Sequence, residues 1–245
     1  MTKFYTNTIT VLNIYKKPSL KSEVTSQMIY GDSFSILKKT ARWVNIKTKE
    51  DKYNGYVQNK KYFNYIKPTH KIYTLKAKIY EFPNKRKNIS VLSFNSKIKV
   101  TESKNKFLKF NKGWIEKNQV RPINFKEDIF KKINIFRNVK YTWGGKSYKG
   151  IDCSALIQVC LNFNNRYCPR DTKDQVKYFK KNIKFNKIKK NDVIYWKGHV
   201  AVATSNKMLI HAYGPMKKTI KMSIKKTIKL IKKTANLKVI SIKRI

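Results

Sequence analysis

The stretch Gly150-Ile-Asp-Cys-Ser-Ala-Leu-Ile-Gln158 joins a glycine-rich loop to an apolar run with helical spacing. Asp152 is a residue type that caps helices, so a helix is predicted from Cys153 onward. Its apolar face comprises Ala155, Leu156, Val159, Cys160 and Phe163. A helix N-terminus offers free N–H groups and partial positive charge, which stabilise a thiolate and the oxyanion of a tetrahedral intermediate. The stretch therefore predicts a nucleophilic Cys153 in the first turn of an α-helix.

A thiolate nucleophile needs a base, and the chain has only three histidines. His199 and His211 lie in neighbouring β-type runs, whereas His70 lies in a β-rich region far earlier in the chain and is predicted to be structural. Direct pairing of His199 with His211 requires Ala203 to pair with Lys207 across a three-residue turn. A two-residue turn would place the two imidazoles on opposite faces of the sheet.

The other two cysteines, Cys160 and Cys168, are predicted to be small buried hydrophobes. Three cysteines cannot form a complete set of disulfides, so reduced thiols are expected. One cysteine with two histidines could also bind zinc, but the sequence has neither a C-x-x-C nor an H-x-x-x-H spacing. Neither a metal nor another cofactor is expected.

The first half of the chain contains short β-type runs separated by Gly, Pro, Asn or Asp. Two segments share a weak pattern, in which an Ile-Tyr pair precedes a proline and a glycine-aromatic-aliphatic triplet closes the segment. The triplets are Gly55-Tyr-Val57 and Gly113-Trp-Ile115. The repeat predicts two small β-barrels, over residues 1–67 and 68–123.

The pattern changes from residue 124, and residues 124–245 are predicted to form an α+β domain. Helices are expected over Phe125–Phe136, from Cys153 onward, and around Ile220, Ile224, Ile228 and Ile231. Strands are expected over Asp192–Trp196, His199–Thr204, Met208–Tyr213 and Val239–Ile242.

The formal net charge is +44, from 57 Lys and Arg against 13 Asp and Glu. Only seven of the basic residues are arginines, and the lysines are spread over the whole chain. Base and phosphate recognition favours Arg, so the charge is interpreted as a compositional bias and no nucleic-acid partner is expected. No apolar run reaches the roughly 18 residues of a membrane span. No signal peptide is evident, so a cytoplasmic protein is expected.

Several sequence blocks occur in order along the second half of the chain. They are Tyr141-Thr-Trp-Gly-Gly145, Gly150–Gln158, Pro169-Arg-Asp-Thr172, Gln175, Asn191–Trp196, His199-Val-Ala-Val202 and Leu209-Ile-His-Ala212. This set resembles the NlpC-type cysteine peptidases, papain-like enzymes that cut bacterial cell-wall peptides. The preceding repeats resemble the bacterial SH3-like domains of the dipeptidyl-peptidase VI branch. The resemblance implies two small SH3-like β-barrels followed by a papain-like α+β catalytic domain.

The resemblance also implies roles for single residues. Cys153 would be the nucleophile, His199 the general base and acid, and His211 the residue that orients and polarises His199. Tyr141, Asp152 and Ser154 match positions that line the S2 pocket of the branch. Asp171 and Thr172 match its acid–hydroxyl pair, with threonine in place of the usual serine, and all five residues are predicted to bind substrate. Acids in such a pocket make physical sense, because a free α-ammonium group needs carboxylate partners.

The activity implied is hydrolysis of the γ-D-glutamyl–diamino acid bond in murein peptides with a free N-terminal L-Ala, as in recycling of wall peptides. The expected partner is therefore a short murein-derived peptide; the sequence leaves the oligomeric state open. Three other functions stay open: an exported hydrolase of intact wall, a non-enzymatic basic SH3-like module that holds a polyanion, and a thiol acyltransferase. Tyr141 and Trp143 could instead be core aromatics, and Asp152 could be only a helix cap.

Overall fold

In a computed structural model that describes residues 2–245, the chain folds into two compact units. The first unit runs to Lys126 and also contains Lys146–Tyr148 and Phe163–Asn165. The second unit comprises Glu127–Gly145, Lys149–Asn162 and Arg166–Ile245. A division of the first unit into barrels over residues 1–67 and 68–123 stays a prediction.

The N-terminal part of the first unit is an antiparallel sheet of seven strands in the order β3-β2-β6-β5-β4-β1-β7. These strands are β1 (Phe4–Thr6), β2 (Val11–Tyr15), β3 (Val24–Ile29), β4 (Ser33–Lys39), β5 (Trp43–Thr48), β6 (Asn54–Gln58) and β7 (Phe63–Asn64). Alternate side chains point into the core, as Leu12 and Ile14 do in β2. Met28, Phe34, Val44, Ile46 and Val57 complete this core.

The remaining strands of the first unit are β8 (His70–Ile72), β9 (Lys76–Tyr80), β10 (Asn88–Ser93), β11 (Lys97–Ile98), β12 (Glu102–Lys104), β13 (Phe107–Phe110), β14 (Gly113–Glu116), β15 (Val120–Pro122) and β16 (Lys146–Ser147). They include a five-stranded sheet, β10-β9-β14-β13-β12, and a three-stranded sheet, β11-β8-β15. Gly113 has φ of +136°, and a Cβ there would lie 2.5 Å from the carbonyl oxygen of Tyr80. The start of β14 therefore requires glycine.

The second unit is built on a five-stranded antiparallel sheet in the order β21-β20-β19-β18-β22. The five strands of this sheet are β18 (Asp192–Trp196), β19 (His199–Ala203), β20 (Met208–Tyr213), β21 (Lys218–Ser223) and β22 (Val239–Arg244). The second unit also contains the short strand β17 (Gly150–Ile151), which lies outside this sheet. The helices of the chain are α1 (Cys153–Phe163), α2 (Thr172–Tyr178) and α3 (Ile224–Ala235). Ile224 and Ile231 of α3 pack against Ile194 and Leu209 of the sheet. The predicted α+β class is confirmed.

The predicted helix over Phe125–Phe136 is wrong. Only Ile133–Phe136 is helical, as one 3-10 turn. The apolar residues at helical spacing serve two separate cores. Phe125 packs edge-on against Tyr73 within the first unit, with ring centroids 6.0 Å apart, whereas Phe136 is buried in the second unit. A single amphipathic helix would have to face one core only.

The lysine-rich tail also departs from its prediction at one position. Ile220 lies in β21, where it pairs with His211 of β20, and α3 begins only at Ile224. Thr219 and Ile220 are β-branched and buried, which favours a strand over the start of a helix. Residues 2–245 contain no helix that has both the length and the apolar character to cross a bilayer.

Candidate active site

Cys153 is the first residue of α1 and is 4% exposed. Asp152 caps this helix, because its Oδ1 accepts the backbone N–H of Ala155 at 2.8 Å. The thiol Sγ lies 4.0 Å from the carbonyl oxygen of Gly198, and the N–H of Val200 donates to it. The sulfur therefore lies beside the backbone on both sides of His199.

His199 begins β19 directly after a two-residue turn in which Gly198 has φ of +74°. Its Nε2 lies 2.9 Å from Nδ1 of His211, so these nitrogens share one hydrogen bond. Nδ1 of His199 is then the nitrogen left for proton exchange with the thiol. The structure thus joins His199 to His211 and places the Cys153 thiol at the backbone on both sides of His199; the catalytic roles of all three stay predictions.

The two histidines meet diagonally across the sheet, which corrects the predicted register. Ala203 pairs with Leu209, and the N–H of Thr204 donates to the carbonyl of Met208 at 2.8 Å. The turn therefore still contains three residues, 205–207, but comes one residue later than predicted. An odd-length turn keeps both imidazoles on one face, which is why the pair forms despite the shift.

Both histidines of the pair are held neutral. Burial lowers the pKa of His199 to about 4. Burial lowers the pKa of His211 to about 3, with a smaller effect from the charge of His199. At neutral pH His199 is therefore a free base.

The pKa of the Cys153 thiol is raised, whereas the helix N-terminus was predicted to stabilise the thiolate. Burial, followed by the negative charge of Asp152, raises the pKa of Cys153 to about 12. The N–H of Val200, the hydroxyl of Thr172 and the charge of Arg170 lower it by less. Loss of water contact outweighs the helix N-terminus here, so the Cys153 thiol and the His199 imidazole are both neutral at rest.

Alkylation by iodoacetamide tests this protonation state. Because the thiol titrates near pH 12, we expect the alkylation rate of Cys153 to rise about tenfold per pH unit from pH 7 to 10. Mass spectrometry of the peptide that carries Cys153 measures this rate. A rate that is already constant between pH 6 and 8 would instead indicate a preformed thiolate–imidazolium pair.

Asp152 is the centre of a buried hydrogen-bond network. Arg170 binds its carboxylate with both terminal nitrogens, the Nη1–Oδ1 distance being 3.0 Å, and both side chains are almost fully buried. Ser154 Oγ donates to Oδ1 at 3.1 Å and accepts from Arg170 at 2.9 Å. Gln175 supports this arrangement, because its Nε2 donates to the carbonyls of Ser154 and Pro169. The network fixes the first turn of α1 and pairs the carboxylate of Asp152 with Arg170.

The glycine-rich loop before α1 is shaped around the same carboxylate. The N–H of Gly144, which has φ of +72°, donates to Oδ2 of Asp152 at 3.0 Å. A Cβ on Gly145 would lie 2.6 Å from the carbonyl oxygen of Gly150, so only glycine allows this approach. Trp143 projects from the loop and is 59% exposed, which excludes it from the core.

The predicted substrate-binding residues differ in whether their polar side-chain groups are already engaged by other protein groups. The carboxylate of Asp152 and the hydroxyl of Ser154 are engaged by Arg170, and the hydroxyl of Thr172 reaches Cys153. Asp171 is partly exposed and its carboxylate does not cap α2. Burial, opposed by Arg170, raises the pKa of Asp171. Of the two predicted acids, Asp171 is therefore the one with a carboxylate open to a ligand.

Tyr141 is half-buried and lies at the start of the glycine loop, where it bridges to Ile151. Burial, followed by the charges of Cys153 and Asp152, raises the pKa of its phenol, so its hydroxyl is protonated beside the thiol.

Within residues 2–245, no cluster of three or more His, Cys, Asp or Glu side chains could hold a metal ion.

Sequence reasoning missed the role of Arg170. The residue stands in the block Pro169-Arg-Asp-Thr172, and it is one of only seven arginines in a lysine-dominated chain. An arginine at this position in a lysine-rich chain could have indicated its role, because arginine binds a carboxylate through two nitrogens and lysine does not.

Two segments of the chain match known protein families. Residues 138–236 match the NlpC/P60 family, and residues 14–61 match the bacterial dipeptidyl-peptidase SH3 domain. The chain carries an NlpC/P60 domain. This NlpC/P60 domain contains every candidate site residue from Tyr141 to His211. The resemblance to an NlpC-type domain that follows an SH3-like domain of the dipeptidyl-peptidase type is confirmed.

One curated relative is dipeptidyl-peptidase 6 of Lysinibacillus sphaericus, which is 31% identical over 88 residues. The match covers 36% of this chain and 32% of that protein, so it spans about a third of the relative's length. Among solved structures, an NlpC/P60 family protein from Bacillus cereus is similar over 99% of both chains, with a TM-score of 0.81 and 15% identity. An NlpC/P60 endopeptidase from Photobacterium damselae subsp. piscicida has a TM-score of 0.68 and 13% identity over 98% of this chain and 70% of its own. At such identities these structures show a shared fold.

Proposed function

We propose that this protein is a cysteine peptidase that hydrolyses the γ-D-glutamyl–diamino acid bond of murein peptides with a free N-terminal L-Ala. The observation that carries the proposal is that the Cys153 thiol contacts the backbone of Gly198 and Val200 on both sides of His199, whose Nε2 is 2.9 Å from Nδ1 of His211. The NlpC/P60 domain and the similarity to dipeptidyl-peptidase 6 of Lysinibacillus sphaericus support the substrate class.

The reaction starts from the neutral pair. Nδ1 of His199 accepts the thiol proton as Sγ of Cys153 attacks the γ-carbonyl carbon of D-Glu. The backbone N–H of Ala155 is used by Asp152, which leaves the N–H groups of Cys153 and Ser154 in the first turn to hold the oxyanion.

Collapse of the tetrahedral intermediate breaks the C–N bond. The imidazolium of His199 gives its proton to the leaving amine, so the diamino acid departs neutral at that nitrogen and a thioester remains on Cys153. Water, deprotonated by His199, then hydrolyses the thioester. Because burial lowers the pKa of His199 to about 4, its imidazolium is a strong proton donor that forms only transiently.

The free α-ammonium of the substrate requires an unoccupied carboxylate. Asp152 is committed to Arg170, whereas Asp171 makes no capping bond and adjoins Thr172, whose hydroxyl reaches the thiol. We therefore assign the ammonium contact to Asp171, and the fixing of the nucleophile's helix to Asp152.

Asp171→Asn is expected to raise KM for L-Ala-γ-D-Glu-diamino acid about 10- to 100-fold, because a hydrogen bond between charged groups is lost. Steady-state kinetics with free and N-acetylated peptide measure this effect. The variant should also lose the preference for the free amine. Asp174→Asn, an exposed acid in the first turn of α2, is the matched control. Equal KM values for wild type and Asp171→Asn would contradict the assignment.

A substrate panel separates the proposal from its alternatives. Purified protein is incubated with the free tripeptide and with intact sacculi, and the released products are identified. Cleavage of the tripeptide alone supports peptide recycling, whereas cleavage of sacculi alone supports a wall hydrolase. A basic binding module would release nothing and would hold a polyanion in about 0.5 M salt, where purely electrostatic contacts fail. The cytoplasmic location stays a prediction, which immunoblots of cell fractions test.

A further inference from the structure

Three aromatic rings pack together on one face of the sheet in the second unit. The ring of Tyr213 stacks on His211, with centroids 4.9 Å apart and planes 16° from parallel. The same tyrosine ring lies 5.5 Å from His199, and the two imidazoles are 5.1 Å apart. Tyr213 is 5% exposed, so it covers the histidine pair from water.

Tyr213 is itself fixed from α3. Its hydroxyl lies 3.0 Å from Oγ1 of Thr234, and that hydroxyl donates to the carbonyl of Leu230 at 2.9 Å. The proton of Thr234 is thereby used, so Tyr213 is the donor in their shared bond. α3 is anchored on the sheet through Ile224 and Ile231.

His211 needs such a restraint because hydrogen bonding fixes only one of its nitrogens. Nδ1 is bound to His199, whereas Nε2 is buried with no protein group of the described residues in hydrogen-bond distance. An imidazole in a catalytic relay is usually oriented by a hydrogen bond on each nitrogen. Here a ring face takes the place of the second bond.

We propose that Tyr213, tethered by Thr234, is a positioning residue that sets the ring plane of His211 and through it the orientation of His199. The inference rests on the proposed function for its kinetic consequence, but the ring geometry itself does not depend on any substrate.

The titration of each histidine can be followed separately by NMR, because the chain contains only three histidines. Each gives one Cε1–H resonance in an NMR titration, and His70 of the first unit serves as internal reference. Burial lowers the pKa of His199. Burial and, to a smaller extent, the charge of His199 lower the pKa of His211. The rings of Tyr213 and Trp196 also pack against the pair, and the Cys153 thiol contacts the backbone on both sides of His199.

Tyr213→Leu is expected to shift the titrations of His199 and His211 to higher pH by about one unit or more, because the covering ring is lost. If the protein is a peptidase, kcat should fall about 10- to 100-fold, as for the loss of an orienting partner, while KM changes little. Tyr213→Phe keeps the ring but loses the bond to Thr234, so its titration shift and its loss of kcat should be small beside those of Tyr213→Leu. Thr234→Val, which leaves all three rings in place, should produce a smaller upward shift of the same resonances.

Tyr195→Leu is the matched control, since Tyr195 is fully buried in β18 and points away from Trp196 and His199. Unchanged histidine titrations in folded Tyr213→Leu, or an equal shift in Tyr195→Leu, would overturn the proposal. If Tyr213→Leu does not fold, unchanged titrations in Thr234→Val overturn the tether. Shifted titrations without any peptidase activity in the wild type would reject the proposed function and leave the positioning role standing.

Discussion

Replacing Cys153 by alanine is expected to lower turnover of L-Ala-γ-D-Glu-diamino acid by about 10⁴-fold or more, because the group that forms the thioester is lost. The fold should be unaffected, since the methyl group of alanine fits where the Cβ of Cys153 already lies. Release of the dipeptide L-Ala-D-Glu, followed by liquid chromatography, measures the turnover. The melting temperature of the variant shows that the comparison is made between folded proteins.

Cys160→Ala is the control for this experiment. Cys160 is buried on the same helix, seven residues after Cys153, and lies in the core. Its replacement should reduce stability by a small amount and leave turnover near that of the wild type. A Cys153→Ala protein that keeps more than a tenth of wild-type turnover would remove the thiol from the mechanism.

Replacing Arg170 by methionine is expected to cost about 3–5 kcal/mol of unfolding free energy, because the carboxylate of Asp152 is then buried without its partner. Asp152 also caps α1 and binds the N–H of Gly144, so the nucleophile and the glycine loop should lose their fixed positions together. Urea denaturation measures the stability. Turnover measured below the transition should fall as well, since Cys153 follows Asp152 directly.

Two further variants distinguish the buried ion pair from a general effect of removing arginine. Arg166→Met changes an exposed arginine and is expected to alter stability by no more than about 0.5 kcal/mol. In the double variant Arg170→Met/Asp152→Asn the unpaired charge is gone, and part of the stability should return. If Arg170→Met unfolds at the same urea concentration as the wild type, the network around Asp152 does not stabilise the site.

The nucleophile and its helix were predictable because their signals are local. A capping acid, a cysteine and an apolar stripe within one stretch define the start of α1, and the structure places it at Cys153. Glycines are scarce in this chain, so their concentration before α1 marked the loop whose backbone must approach Gly150 closely. Neither signal depends on distant parts of the chain.

The turn between the two histidines shows how far local reasoning extends. The odd length of the turn was predicted correctly, and it keeps His199 and His211 on one face of the sheet. Its position was wrong by one residue, because the hydroxyl of Ser205 accepts the N–H groups of Lys207 and Met208. This side-chain bond closes the turn over residues 205–207, and propensity alone does not choose it over its neighbours.

The features that escaped prediction depend on the folded interior. The bidentate bond from Arg170 requires Gln175 to hold the chain at Pro169 beside α1. The high pKa of the thiol follows from burial, which only the tertiary structure determines. The failed helix at Phe125–Phe136 has the same origin, because the two ends of that stretch belong to different units.

The large positive charge has little part in the site. Asp152 is paired with Arg170, and both histidines are held neutral. Some ion pairs elsewhere are exposed, such as Lys16–Glu23, where a pair contributes about 0–1 kcal/mol. Others are buried, since Asp32 pairs with both Lys97 and Lys146 in the first unit. In a chain of charge +44, local pairing and burial therefore set the charges next to the nucleophile.

The most direct test of the central claim is to identify which bond of L-Ala-γ-D-Glu-diamino acid the purified protein breaks in ¹⁸O-labelled water. We expect two products, the free diamino acid without label and L-Ala-D-Glu with ¹⁸O in its γ-carboxylate, because water resolves a γ-glutamyl thioester. Cleavage between L-Ala and D-Glu, or an intact peptide after incubation with folded wild-type protein, would contradict the account.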